Sequence, residues 1–170
     1  MHNKLIVSFL VVLATSLTAQ NYQSIKTSGA PELKLSEEKG ALFIQSKSAG
    51  EKKPAVSYAW RVLKKDELAQ DANTLTFEVQ ADGSDFYGSV MLGASKFLLN
   101  AHEATFSLKS KEWQKISIPL DELRRNQKPW SIKKMDGSAL MLKQEMIKFI
   151  GFGRGFQFNK YDHPNYSFKI

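Results

Sequence analysis

The sequence contains no cysteine, so a thiol nucleophile and a thiolate metal site are both excluded. It is also poor in histidine. The two histidines beyond the N-terminal region, His102 and His163, do not lie in a metal-binding spacing such as H-x-x-x-H. No G-x-S-x-G motif occurs. The sequence therefore favours a protein that is not an enzyme, although two carboxylates distant in the chain could still form a glycosidase pair.

No apolar run is long enough to span a membrane, which takes about 20 residues. The longest run, Leu5–Ala14, follows Lys4 and precedes small, mostly polar residues. This order predicts a secretory signal peptide over residues 1–19, and hence export to the periplasm or the extracellular space. The remaining residues suffice for one domain with a core that is stable without disulfides.

Long runs of basic residues are absent, although the formal net charge is +7. Acids are interleaved with the lysines and arginines, as at Glu37-Glu38 and Asp66-Glu67. This mixture is typical of a solvated surface, and we expect no nucleic-acid partner.

Alternation of apolar and polar residues dominates the chain from residue 32 onward. Thr74–Gln80 is the clearest strand, and Phe86–Leu92 follows after a turn rich in Asp and Gly, so we expect these two strands to form a hairpin. Residues 20–31 carry Gly29 and Pro31 and are expected to be a flexible segment. About nine strands without long amphipathic helices predict an all-β antiparallel sandwich over residues 32–170.

Four segments together resemble one family. They are AVSYAWRV (55–62), NTLTFEVQADGSDFYGSVML (73–92), EWQKISIPLDEL (112–123) and IKFIGF (147–152). The L-x-F-x-V strand with its D-G turn, and the later W-x-x-I-x-I-P-L, resemble the galactose-binding-like jelly rolls of secreted carbohydrate-binding modules. The pattern is also similar to the complex I intermediate-associated protein family.

The resemblance implies a jelly-roll fold and a carbohydrate partner. Such modules often accompany bacterial glycoside hydrolases, so a separate hydrolase is a further expected partner. The family often holds a structural calcium through an acidic residue after the last strand. The sequence ends at Ile170 without that acid, so we expect no cofactor and leave the metal open.

Sugar binding uses flat aromatic faces and convergent polar groups. The aromatic candidates for ligand contact are Tyr58, Trp60, Tyr87, Trp130 and Tyr161. Alternation places Tyr87 and Ser89 opposite the core-facing side chains of their strand. For Tyr58 and Trp60 core packing is the competing interpretation, and Trp130 could instead close one end of the sandwich. Trp113 is expected to have a structural role.

The polar candidates lie near the C-terminus. The glycine-rich stretch 151–155 does not predict a phosphate loop, because a strand pattern rather than a helix follows it. Its glycines favour close approach of backbone or ligand. Arg154, Tyr161, Asp162 and His163 are the expected polar part of a binding site, with an ordinary connection as the alternative. His102 and Glu103 are expected to form a surface pair.

Three hypotheses remain open at this point. The first is a secreted, non-catalytic module that binds a poly- or oligosaccharide. The second is a structural or assembly protein that uses the sandwich as a protein-interaction surface, which a large apolar patch would favour. The third is a small glycoside hydrolase, which two convergent carboxylates in a cleft would favour.

Overall fold

The computed structural model describes residues 10–12, 22–26, 33–46, 57–64, 67, 72–94, 101–125, 147–154 and 165–170. These residues form twelve strands and one short 3-10 helix, Leu120–Glu122. The strands are β1 (Leu10–Val12), β2 (Gln23–Lys26), β3 (Lys34–Glu38), β4 (Ala41–Ser46), β5 (Ser57–Val62), β6 (Thr74–Ala81), β7 (Tyr87–Gly93), β8 (Ala101–Ser107), β9 (Gln114–Pro119), β10 (Arg124–Arg125), β11 (Phe149–Arg154) and β12 (Tyr166–Lys169).

The strands form two sheets. The first has the order β1-β6-β12-β4-β3, with β9 also paired to β6, and the second has the order β10-β8-β7-β11-β5-β2. Among the described strands, every pairing is antiparallel except that of β1 with β6. The prediction of an all-β antiparallel sandwich is confirmed.

Aromatic rings from both sheets join in the core between them. The Phe77 ring of the first sheet lies edge-on to Phe106 and Phe152 of the second, at centroid distances of 5.3 and 5.2 Å. Phe106 in turn contacts Phe168 of the first sheet at 5.4 Å. Each such pair contributes about 1 kcal/mol beyond the burial of its area. The predicted alternation in β6 and β7 supplies further core side chains, such as Leu75 and Leu92.

The predicted hairpin of Thr74–Gln80 with Phe86–Leu92 is wrong. β6 lies in the first sheet and β7 in the second, so the turn between them crosses from one sheet to the other. Gly83 in this turn has a φ of +85°, a conformation that glycine adopts without strain. Its amide donates to the Leu108 carbonyl at 3.0 Å, which ties the crossing to the end of β8.

The two N-terminal segments, expected to be a signal peptide and a flexible segment, each contain a strand. The expected flexible segment 20–31 contains β2, which pairs with β5 in the second sheet, so that part of the expectation is wrong. The expected signal peptide contains β1, and its removal stays a prediction. No helix among the described residues is long and apolar enough to cross a membrane.

Candidate functional site

The second sheet buries side chains on both of its faces. Residues that alternate with the core-facing ones point to the opposite side, which we call the outer face of the second sheet. It comprises Tyr58, Trp60 and Val62 of β5, Tyr87, Ser89 and Met91 of β7, Ala101, Glu103, Thr105 and Ser107 of β8, and Phe149, Gly151 and Gly153 of β11. Four of these form a second apolar cluster, against which Trp60 packs: Tyr58, Met91, Ala101 and Phe149.

Two glycines of β11 make room for this cluster. A Cβ at Gly151 would lie 2.8 Å from the Tyr58 ring, so that ring lies across the glycine. A Cβ at Gly153 would overlap the Ser57 carbonyl oxygen and lie 2.6 Å from Tyr58 Cα. The glycine-rich stretch therefore serves close packing of β5 on β11, as the sequence predicted.

A polar pair lies in the middle of the same face. Ser89 Oγ donates to Glu103 Oε1 at 2.8 Å, and both residues are fully buried. His102, the neighbour of Glu103, points to the other face, where its partner in register is Leu92. The expected His102–Glu103 surface pair is therefore wrong, because both side chains are buried and alternation separates them.

Exposed groups gather where β7 begins. Tyr87 is 48% exposed and pairs in register with Ser107. Lys109 Nζ lies 3.0 Å from Asp85 Oδ1, and the hydrogen bond and charge of that carboxylate raise the pKa of the Lys109 amine. We call Asp85, Tyr87, Ser107 and Lys109 the Tyr87 end of the outer face. It combines one aromatic ring with hydroxyl, ammonium and carboxylate groups.

Backbone hydrogen bonds hold the Tyr87 end in place. The Leu108 amide donates to the Phe86 carbonyl at 2.9 Å, which fixes the start of β7 against the end of β8. Asp82 Oδ1 accepts from the Ser84 amide at 3.0 Å, and Asp82 Oδ2 accepts from the Ser167 amide at 2.7 Å. The exposed side chains therefore extend from an ordered backbone, which lowers the entropy lost when a ligand binds.

A buried ionic network closes the core side of the same sheet. Arg61 Nη1 donates to Glu67 Oε2 at 2.7 Å, and Arg61 Nε donates to the Tyr22 hydroxyl at 3.1 Å. Burial raises the pKa of the Tyr22 phenol. Glu67 and Glu103 thus lie on opposite sides of the sheet and do not converge. No group of three or more histidine or acidic side chains among the described residues is placed to hold a metal ion.

Three of the predicted contact residues lie on the outer face of the second sheet, and most of the others lie outside the described residues. Tyr87 is exposed, Trp60 is partly buried and Tyr58 is fully buried. Tyr58 in this position offers no surface to a ligand, so we leave it out of the site. Arg154 ends β11 opposite Ser57, but its side chain is not described. The remaining candidates lie outside the described residues: Trp130, Tyr161, Asp162 and His163.

Sequence reasoning missed the residues around Tyr87. Asp85 and Lys109 looked like ordinary turn and loop charges, and their ion pair depends on a turn that crosses between sheets. Residues 81–85 and 107–111 carry no spacing that would predict this meeting.

Comparison with known structures places the fold. The chain is similar to a family 11 carbohydrate-binding module from Clostridium thermocellum in complex with a β-1,3-1,4-mixed-linked tetrasaccharide. The TM-score is 0.61 at 14% identity, over 88% of this chain and 84% of the other. It is also similar to the family 11 module of the cellulosomal cellulase Lic26A-Cel5E of the same organism, with a TM-score of 0.58 at 16% identity, over 88% and 83% of the two chains.

A third similar structure is the agarase AgWH50C. The TM-score is 0.55 at 13% identity, and the match covers 88% of this chain but 23% of the agarase. No protein-family model and no curated protein matches the chain. The fold is therefore the β-sandwich of carbohydrate-binding modules, as the sequence resemblance implied. The resemblance to the complex I intermediate-associated protein family stays a prediction.

Proposed function

We propose that this protein is an exported, non-catalytic carbohydrate-binding module, and that the Tyr87 end contacts the sugar. The predicted signal peptide supports export. The fold shared with carbohydrate-binding modules supports the ligand class. The proposed site includes the predicted residues Trp60, Trp130, Arg154, Tyr161, Asp162 and His163 as further candidates. A separate glycoside hydrolase is a proposed partner.

The observation that carries the proposal is the exposed ring of Tyr87 beside the hydroxyl, ammonium and carboxylate groups of Ser107, Lys109 and Asp85. A sugar ring presents an apolar C–H face and a rim of hydroxyl groups. The Tyr87 ring can cover the first, while Ser107, Asp85 and Lys109 can bond to the second. Tyr87 is suited to this role because it loses little conformational entropy on binding and is already held by β7.

The other two hypotheses receive less support from the described residues. Glu67 and Glu103 lie on opposite sides of the second sheet, so these two buried acids do not support a glycosidase pair. In the part of the chain that the structure describes, the exposed large apolar side chains are Val62, Tyr87 and Trp113. Val62 and Tyr87 occupy opposite ends of the outer face, and Trp113 adjoins the first sheet, so they do not form one apolar patch for a protein partner.

Isothermal titration calorimetry on the chain without residues 1–19 tests the proposal. The ligands are a β-1,3-1,4-mixed-linked tetrasaccharide, as in the family 11 complex, and an oligosaccharide of agarose, chosen because the third similar structure is an agarase. We expect Tyr87→Ala to weaken binding at least about tenfold, which corresponds to about 1.4 kcal/mol of binding free energy. Tyr87→Phe keeps the ring and should retain most of the affinity.

Val62→Ala is the matched control, since it removes an exposed apolar side chain from the far end of the same face. Trp130→Ala tests the second aromatic candidate separately. Equal affinity of wild type and Tyr87→Ala would remove Tyr87 from the site. If neither glycan bound the folded wild-type chain, the proposed carbohydrate ligand would be contradicted.

A further inference from the structure

A row of side chains crosses the outer face of the first sheet, opposite to the Tyr87 end. In register, Phe43 of β4 pairs with Lys169 of β12, and Lys169 pairs with Gln80 of β6. Trp113 lies next to the first residue of β9 and continues the row, because Val79 pairs with Gln114. With about 4.8 Å between strands, Phe43 and Trp113 lie about 14 Å apart along the sheet. We call these four residues the Trp113 row.

The polar members of the row are held by contacts on the sheet. Lys169 Nζ lies 2.8 Å from Glu38 Oε2 and 5.9 Å from the centre of the Phe43 ring. Gln80 Nε2 donates to the Lys111 carbonyl at 3.0 Å. These contacts restrain an ammonium, a carboxylate and an amide on one face of the sheet, so less side-chain entropy is lost when they bond to a ligand.

Trp113 supplies an exposed ring at one end of the row. Its exposed fraction is 47%, nearly that of Tyr87, which does not fit the structural role that the sequence led us to expect. The indole precedes β9, whose core-facing positions are Ile116 and Ile118, so the core at this edge is filled without it. An exposed tryptophan contributes apolar surface to binding at low entropic cost.

We propose that the Trp113 row is a second saccharide-binding surface, specific for a neutral glycan. The exposed ring of Trp113 would cover one sugar, and the half-buried ring of Phe43, over which the Lys169 ammonium lies, would border another. Gln80, Lys169 and Glu38 would bond to hydroxyl groups between them. The charge of Lys169 is offset by Glu38, which disfavours selection of an anionic polymer. The ligand class rests on the proposed function, but the surface is a different one.

The arrangement favours a glycan over a protein partner. Protein-binding surfaces centre on a contiguous apolar patch, whereas here Gln80 and Lys169 separate the two rings. Two surfaces on opposite sides of the sandwich cannot contact one short oligosaccharide. The module would therefore bind two separate chains, and cross-link a polysaccharide through avidity.

Calorimetric titration with the same two oligosaccharides gives the number of binding sites per chain directly. We expect two sites per wild-type chain, one in Trp113→Ala, one in Tyr87→Ala and none in the double variant. Trp113→Phe keeps a ring and should retain both sites, and Val62→Ala is again the exposed apolar control. Glycan should also shift the tryptophan fluorescence of Tyr87→Ala, which keeps only the Trp113 row, and this shift should be lost when Tyr87→Ala is combined with Trp113→Phe.

The outcomes separate the two proposals. A single site that Tyr87→Ala abolishes and Trp113→Ala leaves intact would overturn the second surface and keep the proposed function. A single site that only Trp113→Ala abolishes would keep the Trp113 row and remove the Tyr87 end. Absence of binding by the folded wild-type chain to both sugars would overturn both.

Discussion

The outer face of the second sheet is buried along its central strands, whereas the outer face of the first sheet is exposed or half-buried apart from Thr76. Tyr58, Met91 and Glu103 on the second sheet are fully buried. At comparable positions of the first sheet, Glu78 and Lys115 are exposed. Among the described residues, the second sheet presents exposed side chains at its ends, such as Tyr87, and on its edge strand β2. The two faces therefore offer different surfaces. Tyr87 lies at one end of the buried outer face of the second sheet, whereas Trp113 and the half-buried Phe43 lie on the more accessible outer face of the first sheet.

The difference follows from residue choice on otherwise similar strands. β11 has glycines at alternate positions, so the neighbouring strand packs its side chains across it. β6 has Thr, Glu and Gln at the corresponding positions, which favour solvent. Substitutions matched between the two faces should therefore differ in their effect on stability.

The largest difference should come from adding one methyl group to each face. Gly153→Ala places a Cβ against the backbone of β5, which has no room to move, and should lower the free energy of unfolding by about 3 kcal/mol. Ser36→Thr adds a methyl to the exposed face of the first sheet and should change it by less than about 0.5 kcal/mol. Urea denaturation measures both. Similar values for the two variants would show that β5 and β11 are not tightly packed.

Alternation of apolar and polar residues was enough to predict the sandwich and the core side of most strands, because successive side chains of a strand point to opposite faces of its sheet. Tyr87 was placed correctly for the same reason. Burial of Tyr58 was one of the two interpretations that the sequence left open, whereas burial of Glu103 was not predictable. Both depend on β5 and β8 being brought to one face through pairing distant in the chain. The crossing after β6 looked like a hairpin because Asp and Gly favour turns of either kind.

Removal of a serine hydroxyl should give a smaller contrast. Ser89→Ala deprives the buried Glu103 carboxyl of a hydrogen-bond donor, which should cost about 2 kcal/mol. Ser117 is exposed and bonds to the buried Thr76 hydroxyl at 3.0 Å. Because water can reach the position of the Ser117 hydroxyl, Ser117→Ala should cost about 0.5 kcal/mol. The same denaturation experiment compares them. If Ser117→Ala proved the more destabilising, the outer face of the second sheet would be hydrated rather than buried.

The smallest expected effect concerns how the free energy of unfolding changes at high pH. Burial raises the pKa of Tyr58 in the folded state above its unfolded value of about 10. Its stabilising contribution is therefore complete below pH 10 and declines as the pH rises further, because only the unfolded chain then releases the proton. The free energy of unfolding of wild type should fall by up to about 1.4 kcal/mol per pH unit more steeply than that of Tyr58→Phe. Tyr22 has a raised pKa as well and should leave a residual slope in Tyr58→Phe. Equal slopes for wild type and Tyr58→Phe between pH 9 and about 11 would mean that Tyr58 is hydrated, and would return it to the candidates for ligand contact beside Tyr87.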